Sequence, residues 1–184
     1  MYLLRRGYPF GVLPSMGLGY YKGSVALQIL SRNLRGFLWK WGEETKAVLY
    51  PLRTLGGTLT GIQLGATKEK RYEDFLIPGA GKRGTFFYPE NFDWVEFHRR
   101  GKVVLVEGCL DACALSLHLK CVLGCLSARV TQGQQFGLKR WAQQIYCTFD
   151  GDEAGEAGYD RFQHFWEMEG ILLQRVSPLT KDPQ

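Results

Sequence analysis

The chain has 184 residues, of which 45% are hydrophobic, and a formal net charge of +5 at pH 7. This length suffices for one domain with a substantial core, or for one domain and a small subdomain. No apolar run reaches the roughly 20 residues of a membrane span, and MYLLRRGYPF at the start lacks the features of a signal peptide, so we expect a cytoplasmic protein without a membrane partner.

Charge is distributed unevenly along the chain. Residues 1–100 carry an excess of Lys and Arg, whereas residues 101–184 carry an excess of Asp and Glu. A basic half suggests a polyanionic partner, and a cluster of acids suggests a cation. The five cysteines include no C-x-x-C pair, and we interpret them as small buried side chains in a reducing compartment, not as metal ligands.

The first half of the chain predicts a mixed α+β subdomain. Residues 24–41 combine helical spacing with a late aromatic run, which predicts a helix to about Leu34 and then a strand. The segment KAVLYPLRTLGGTLTGIQLGA alternates and breaks at Gly56-Gly57, as in a β-hairpin. RGTFFYPE predicts a further strand. These strands are expected to pair antiparallel.

The second half alternates strand patterns with helix patterns. Strands are predicted at KVVLVEG, CVLGCLSA, IYCTFD and ILLQRVSP, and helices at DACALSLHLK, LKRWAQQ and EAGEAGYDRFQHFWEME. This alternation is typical of right-handed βαβ units in a parallel sheet covered by helices. The predicted fold class is therefore α/β, with a smaller basic α+β subdomain first.

Carboxylates follow three of the four predicted strands. Glu107 comes after the first strand, Asp150 and Asp152 after the third, and Asp182 shortly after the fourth. Asp111 opens the helix that follows Glu107. Because sites in parallel sheets lie at the carboxyl ends of the strands, we expect these acids to gather at one edge.

Clustered carboxylates repel one another unless a cation neutralises them, and a hard divalent ion such as Mg²⁺ takes oxygen ligands. Two alternatives remain open. Asp150 and Asp152 are also suited to capping the next helix, and a phosphatase with an aspartyl nucleophile also has D-x-D after a strand, although Ala154 replaces its usual Thr or Val. An EF-hand is excluded because Arg161 would stand at its twelfth position, and no P-loop motif is present.

The segments VVLVEGCLDACAL and IYCTFDGDEAGEAGYDR together resemble a TOPRIM domain, the module shared by bacterial-type primases, topoisomerases and several nucleases. Glu107, Asp150 and Asp152 match its acidic positions. E-G-x-x-D, with Asp111, and D-G-D-x-A-G are similar to the primase branch. K-D-P at residues 181–183 resembles the third acidic element, often D-P-D, although Gln184 stands where its last Asp could be.

The resemblance extends upstream over nearly the whole chain. YLLRRGYPFGVLPSMGLGYY resembles the opening of the primase catalytic core, and LYPLRTLGGTLTGIQLGA and RYEDFLIPGAGKRGTFFYPENF resemble two later primase segments. Arg71 and Arg83 stand where the family often has Lys, and Gln63-Leu64-Gly65-Ala66 replaces its Gly-Gly-Arg. The resemblance implies a nucleotide- and nucleic-acid-binding subdomain over residues 1–100 and a TOPRIM domain over residues 101–184.

A primase-like core implies synthesis of short primers on single-stranded DNA from nucleoside triphosphates with Mg²⁺ or Mn²⁺. The resemblance implies that Glu107 is the general base or shares a metal, and that Asp111 orients Glu107 or adds a ligand. Asp150, Asp152 and Asp182 would hold the metal. Nucleic-acid and nucleotide phosphates would meet basic residues of the first half: Arg53, Lys68, Lys70, Arg71, Lys82 and Arg83. Nearby aromatic residues could stack on bases: Tyr72, Phe86, Phe87 and Tyr88.

Two other functions use the same features. A TOPRIM nuclease would activate water with the same carboxylates, and a non-catalytic module would bind nucleic acid without a metal. Topoisomerase activity is not expected, because the chain has no additional domain for a tyrosine nucleophile and a strand-passage gate. Primases of this type usually carry zinc-binding and helicase-binding domains, so a helicase or a separate zinc-binding domain is an expected partner.

Overall fold

The computed structural model describes residues 3, 8, 16–22, 46–69, 71–77 and 84–176. The predicted helix before Leu34 and the strand after it lie outside these residues. So do Lys70, Lys82, Arg83 and Asp182.

The first half contributes five strands to the described structure. They are β1 (Gly19–Lys22), β2 (Lys46–Thr54), β3 (Leu59–Ala66), β4 (Tyr72–Leu76) and β5 (Thr85–Phe87). The β2–β3 hairpin turns where the sequence predicts it, because Gly57 adopts a left-handed φ of 85° that other residues rarely adopt. The Thr54 N–H closes this turn on the Thr58 carbonyl at 2.9 Å. All pairings among these strands are antiparallel, as predicted.

Four helices are described, the first at the end of the first half and the other three in the second half, which also contributes four strands. The helices are α1 (Trp94–Arg100), α2 (Cys109–Ser116), α3 (Gln132–Lys139) and α4 (Glu153–Met168). The strands are β6 (Lys102–Val106), β7 (Val122–Gly124), β8 (Gln144–Thr148) and β9 (Leu172–Arg175). β6 pairs parallel with β7 and β8, and β8 pairs parallel with β9. The predicted α/β fold class is confirmed.

One predicted helix is misplaced. The segment LKRWAQQ predicts a helix from residue 138, but α3 lies earlier and ends at Lys139. A capping box sets its start: the Thr131 side chain accepts the Gln134 N–H, and the Gln134 side chain accepts the Thr131 N–H. This reciprocal pair satisfies two backbone donors that an uncapped helix would leave open.

Both halves form one nine-stranded sheet, in the order β4-β3-β2-β5-β7-β6-β8-β9, with β1 paired to β2. Strand β5 joins them through a single residue pair, Phe87 with Gly124. Gln134 reinforces this joint, because its buried side-chain amide donates to the Thr85 carbonyl at 2.6 Å and the Cys125 carbonyl at 3.0 Å. The domain boundary expected near residue 100 stays a prediction, and the sheet is continuous across it.

Side chains alternate between two cores on opposite faces of the sheet. Phe86 and Leu105 belong to one core, and their neighbours Phe87 and Val106 belong to the other. Helices cover the parallel strands on both faces, as such sheets require. Four cysteines are buried, Cys121 is half-buried, and all five are unpaired, consistent with the interpretation of small apolar side chains. Among the described residues, no helix combines the length and apolar character needed to span a membrane.

Candidate active site

The acidic residues lie at the switch point of the parallel sheet. After β6 the chain crosses to β7 on one side and then returns past β6 to β8 on the other. Val106 and Thr148, the last residues of β6 and β8, are register partners. Their carboxyl ends therefore lie side by side, with Glu107 after one strand and Asp150 after the other. Crevices at such switch points are the usual ligand sites of open α/β sheets.

Glu107 and Asp150 are in direct contact. The backbone N–H of Asp150 donates to Glu107 Oε1 at 2.9 Å, which holds the carboxylate against the turn between β8 and α4. Gly155 permits this packing, since a Cβ there would overlap the Asp150 carbonyl oxygen and lie 3.0 Å from Glu107 Oε1. The glycine of the D-G-D-x-A-G motif therefore brings the start of α4 close to both acids.

Asp152 caps α4. Its Oδ1 accepts the Gly155 N–H at 2.8 Å, and its own backbone is extended, as is usual at an N-cap. The capping alternative is thus confirmed for Asp152. Only one carboxylate oxygen is used in this bond, so capping and ligand binding are compatible.

Asp111 lies in the first turn of α2, folded back over Gly108. A Cβ on Gly108 would stand 2.5 Å from Asp111 Oδ2, which is closer than real Cβ contacts. The glycine of E-G-x-x-D thus leaves room for this carboxylate next to Glu107.

The surroundings of Glu107 favour its protonated form. Burial raises the pKa of its carboxyl above the ordinary value, and the negative charges of Asp150, Asp152 and Asp111 raise the pKa further. The hydrogen bond from the Asp150 N–H opposes this rise in the pKa without cancelling it. A carboxyl with such a pKa can exchange a proton nearer neutral pH than an exposed glutamate can.

These acids line one wall of a cleft of about 580 Å³. Glu107, Asp111 and Asp150 face it from the ends of β6 and β8, and Lys68 and Tyr72 face it from the β3–β4 end of the sheet. The cleft therefore joins the acidic part of the chain to the basic part.

The donor set has the chemistry that a hard divalent cation prefers, since it consists of carboxylate oxygens whose mutual repulsion a cation would relieve. As the side chains stand, the described residues contain no group of three or more His, Cys, Asp or Glu arranged to hold a metal. Asp152 is turned to its cap, and Asp182 lies outside the described residues. The acids fit a metal by type and proximity, and the ligand assignment stays a prediction.

The predicted phosphate-binding residues are dispersed. Lys68 is exposed in the cleft. Arg71 lies near it and forms long ion pairs with Glu69 and Glu73, at 3.8 and 3.7 Å. Arg53 lies on β2 beside β5, where its Nη1 is 3.5 Å from the Gly57 carbonyl. Their roles stay predictions.

The expectation that Phe86, Phe87 and Tyr88 stack on bases is wrong. All three are buried, because β5 lies inside the sheet between β2 and β7. Tyr72 differs, since it is 43% exposed and lines the cleft.

Two residues that line the cleft were not predicted as site residues. Gln63 is buried and donates from Nε2 to Asp74 Oδ1 at 2.7 Å. Leu126, just past β7, has a φ of 70°, a left-handed conformation that costs a leucine roughly 1–2 kcal/mol. Strained backbone clusters at functional sites. The only available signal was position, because Leu126 follows a strand of the parallel sheet.

Comparison with known proteins agrees with this geometry. Residues 104–184 match the family model described as Toprim-like. A DNA primase from Clostridium acetobutylicum is 26% identical over 203 residues, which cover 99% of this chain and 34% of the relative.

Two solved structures cover 100% of the chain with a TM-score of 0.75. One contains the zinc-binding and RNA polymerase domains of the Aquifex aeolicus primase. It is 21% identical to this chain, which covers 50% of its length. The other is a primase catalytic domain bound to single-stranded DNA. It is 18% identical to this chain, which covers 66% of its length. At these identities the likeness establishes the fold.

The chain spans about a third of the length of the curated relative. The acidic switch point, the family match and the shared fold lead to one conclusion. Residues 104–184 match the Toprim-like family, and the chain shares its fold with structures of DNA primase catalytic domains.

Proposed function

We propose that the chain is a primase-like nucleotidyltransferase that synthesises short primers on single-stranded DNA. The observation that carries this proposal is the cleft in which Glu107, Asp111 and Asp150 face Lys68 and Tyr72. The carboxylates on one wall suit a divalent metal ion. On the other wall, the positive charge of Lys68 suits a phosphate, and the exposed ring of Tyr72 suits a base. Similarity to a DNA primase supports the same activity.

Glu107 would act as general base. It would accept the proton of the primer 3′-hydroxyl as this oxygen attacks the α-phosphate of a nucleoside triphosphate, and pyrophosphate would leave. Burial and the neighbouring carboxylates raise its pKa above that of an exposed glutamate, which makes its carboxylate a stronger base. Asp111, next to Gly108, would orient Glu107.

Asp150 and Asp152 would hold Mg²⁺ or Mn²⁺ with Glu107, and Asp182 is a further proposed ligand. The metal would supply positive charge at the phosphoryl centre and acidify the attacking hydroxyl. On the other wall, Lys68 would neutralise a phosphate and Tyr72 would stack on an unpaired base. Arg53, Lys70, Arg71, Lys82 and Arg83 are proposed to extend this electrostatic contact.

The partners follow from this activity. Single-stranded DNA and nucleoside triphosphates would be the substrates, and a helicase or a zinc-binding domain would assist the core, as a zinc-binding domain accompanies the polymerase domain in one structure of this fold. Primer synthesis on replicating DNA also implies a cytoplasmic location.

Primer formation on single-stranded DNA with Mg²⁺ or Mn²⁺ tests the proposal. We expect Glu107→Gln and Asp150→Asn each to reduce the rate by about 10²–10⁴-fold, the usual contribution of a positioned acid or base. Asp160→Asn, an exposed change on α4, is the matched control and should retain activity. Metal-dependent synthesis that survives the first two substitutions would refute the assignment.

The same preparation separates primer synthesis from nuclease activity. Labelled DNA incubated with metal but without triphosphates should remain intact. Cleavage that Asp150→Asn abolishes would instead assign the carboxylates to a nuclease.

A further inference from the structure

A second groove, of about 860 Å³, opens beside the active-site cleft. Its walls are the segment from Arg129 to Thr131, the exposed side of α3 and one side of α4. None of its lining residues belongs to the first half of the chain, where sequence analysis placed nucleic-acid binding.

The two cavities share one wall. Leu126 and Ser127 line the cleft, Arg129 and Val130 line the groove, and Ala128 lies between them. Ala128 packs against α4 at Gly158, where a Cβ would overlap its carbonyl oxygen. An elongated ligand that leaves the cleft by crossing this loop would therefore enter the groove directly.

The cavities carry opposite charge. The cleft is lined by Glu69, Glu107, Asp111 and Asp150 and by a single basic residue, Lys68. The groove lining includes two arginines, Arg129 and Arg161, and no carboxylate. Neither arginine forms an ion pair with a described carboxylate. Arg161 donates a hydrogen bond from its Nε to the Ala157 carbonyl, at 2.8 Å.

Helix periodicity maintains this charge separation along α4. Arg161 and Gly158 are three residues apart and share the side that faces the groove. Glu156 and Asp160 lie on the other side, and Glu156 is already paired with Arg175. The groove is therefore positive although α4 as a whole is acidic.

The remaining lining suits an unpaired nucleic-acid strand. Phe136 is 53% exposed on α3, where its ring is open to stacking. Gln132 places an amide group beside it, which can bond to phosphate or base without selecting a sequence, whereas the Gln135 amide donates to the Val130 carbonyl at 3.4 Å.

We propose that this groove binds the single-stranded DNA template where the strand continues beyond the active-site cleft. The proposal rests on the proposed function, since it concerns the template of that reaction. The acidic cleft repels phosphates in the absence of a cation, so a strand needs fixed positive charge close by. Arg129 and Arg161 would neutralise successive phosphates, and Phe136 would stack on a base between them.

Fluorescence anisotropy with labelled oligothymidylate, in EDTA and without triphosphates, tests the groove alone. Neutralising two phosphate contacts with Arg129→Gln/Arg161→Gln should weaken binding on the order of tenfold at about 0.1 M salt and flatten the salt dependence. Phe136→Ala should weaken binding about tenfold, as expected for one lost stacking contact. Thermal unfolding should show that both variants remain folded.

The matched control removes the same charge elsewhere. Lys102→Gln/Arg140→Gln changes two exposed residues outside both cavities and should bind within about twofold of the unaltered chain. Equal weakening by the two double variants, or unchanged binding by the groove variants, would overturn the proposal.

Activity separates this proposal from the proposed function. Asp150→Asn should lose primer synthesis but bind oligothymidylate as before. If the unaltered chain makes no primers yet loses DNA binding only with the groove substitutions, the groove assignment holds and the proposed reaction fails.

Discussion

The two walls of the active-site cleft are built in different ways. The acidic wall comes from neighbouring ends of β6 and β8 and from close contacts at Gly108 and Gly155. The opposite wall, which includes Lys68 and Tyr72, comes from the β3–β4 end of the sheet and is linked to the acidic wall through β2, β5 and β7. In that path β5 and β7 share one residue pair. The geometry among the acids is therefore set locally, whereas the width of the cleft depends on a narrow joint.

The largest effect on stability should come from breaking the joint. Gln134→Leu removes three hydrogen bonds of the Gln134 side chain, with the carbonyls of Thr85 and Cys125 and with the N–H of Thr131. We expect it to lower the free energy of unfolding by about 3 kcal/mol, since each unpaired buried polar group costs about 1–3 kcal/mol. Urea unfolding measures the change.

The control for this prediction is Gln163→Leu. Gln163 donates to Glu167 on the exposed side of α4 at 2.7 Å, an i,i+4 pair worth about 0.2–0.5 kcal/mol. Equal losses from the two leucine variants would show that Gln134 is not a special contact between the halves.

A smaller effect is expected within the acidic wall. Gly155→Ala forces a methyl group against the Asp150 carbonyl, and neither backbone segment can move without shifting Glu107. Overpacking of this kind costs about 1–3 kcal/mol. The free energy of unfolding should fall by that amount.

Gly151→Ala provides the comparison, because a Cβ there meets nothing within 4 Å. It should change stability by less than about 0.5 kcal/mol. If both alanine variants are equally stable, the close approach at Gly155 is not what positions the acids.

The smallest effect concerns pH. The folded pKa of Glu107 is raised above its ordinary value of 4.5, so the unfolded chain releases this proton first as the pH rises. Stability therefore declines from about that pH upward through the folded pKa. Glu107→Gln removes this loss, and its stability relative to the unaltered chain should be greater near neutral pH than below about pH 4.

Urea unfolding of both proteins over that range, in EDTA, measures this difference. A stability difference that does not depend on pH would mean that neither burial nor the neighbouring carboxylates raise the pKa of Glu107.

The sequence alone predicted the acidic wall and singled out Lys68 and Tyr72 on the other, but it did not predict which further aromatic residues are buried. Glu107 and Asp150 follow apolar runs, and the ends of parallel strands meet at one edge, so their proximity was predictable. The burial of Phe86, Phe87 and Tyr88 was not, because it depends on β5 lying between two strands that are distant in sequence.

Of two local features, the sequence predicts one and not the other. The capping box of Thr131 and Gln134 is readable as T-x-x-Q, and it would have placed α3 correctly. The left-handed backbone of Leu126 has no such signal, because leucine does not favour that conformation. Tertiary packing alone imposes it.

A crystal soaked in Mn²⁺ tests most directly whether the switch-point acids form a divalent cation site. We expect an anomalous-difference peak in the cleft, from an ion bound by Glu107 and Asp150 and by the Asp152 oxygen not used in the cap. The peak should disappear in Asp150→Asn. A map without a peak among these carboxylates, or with Mn²⁺ bound elsewhere, would contradict it.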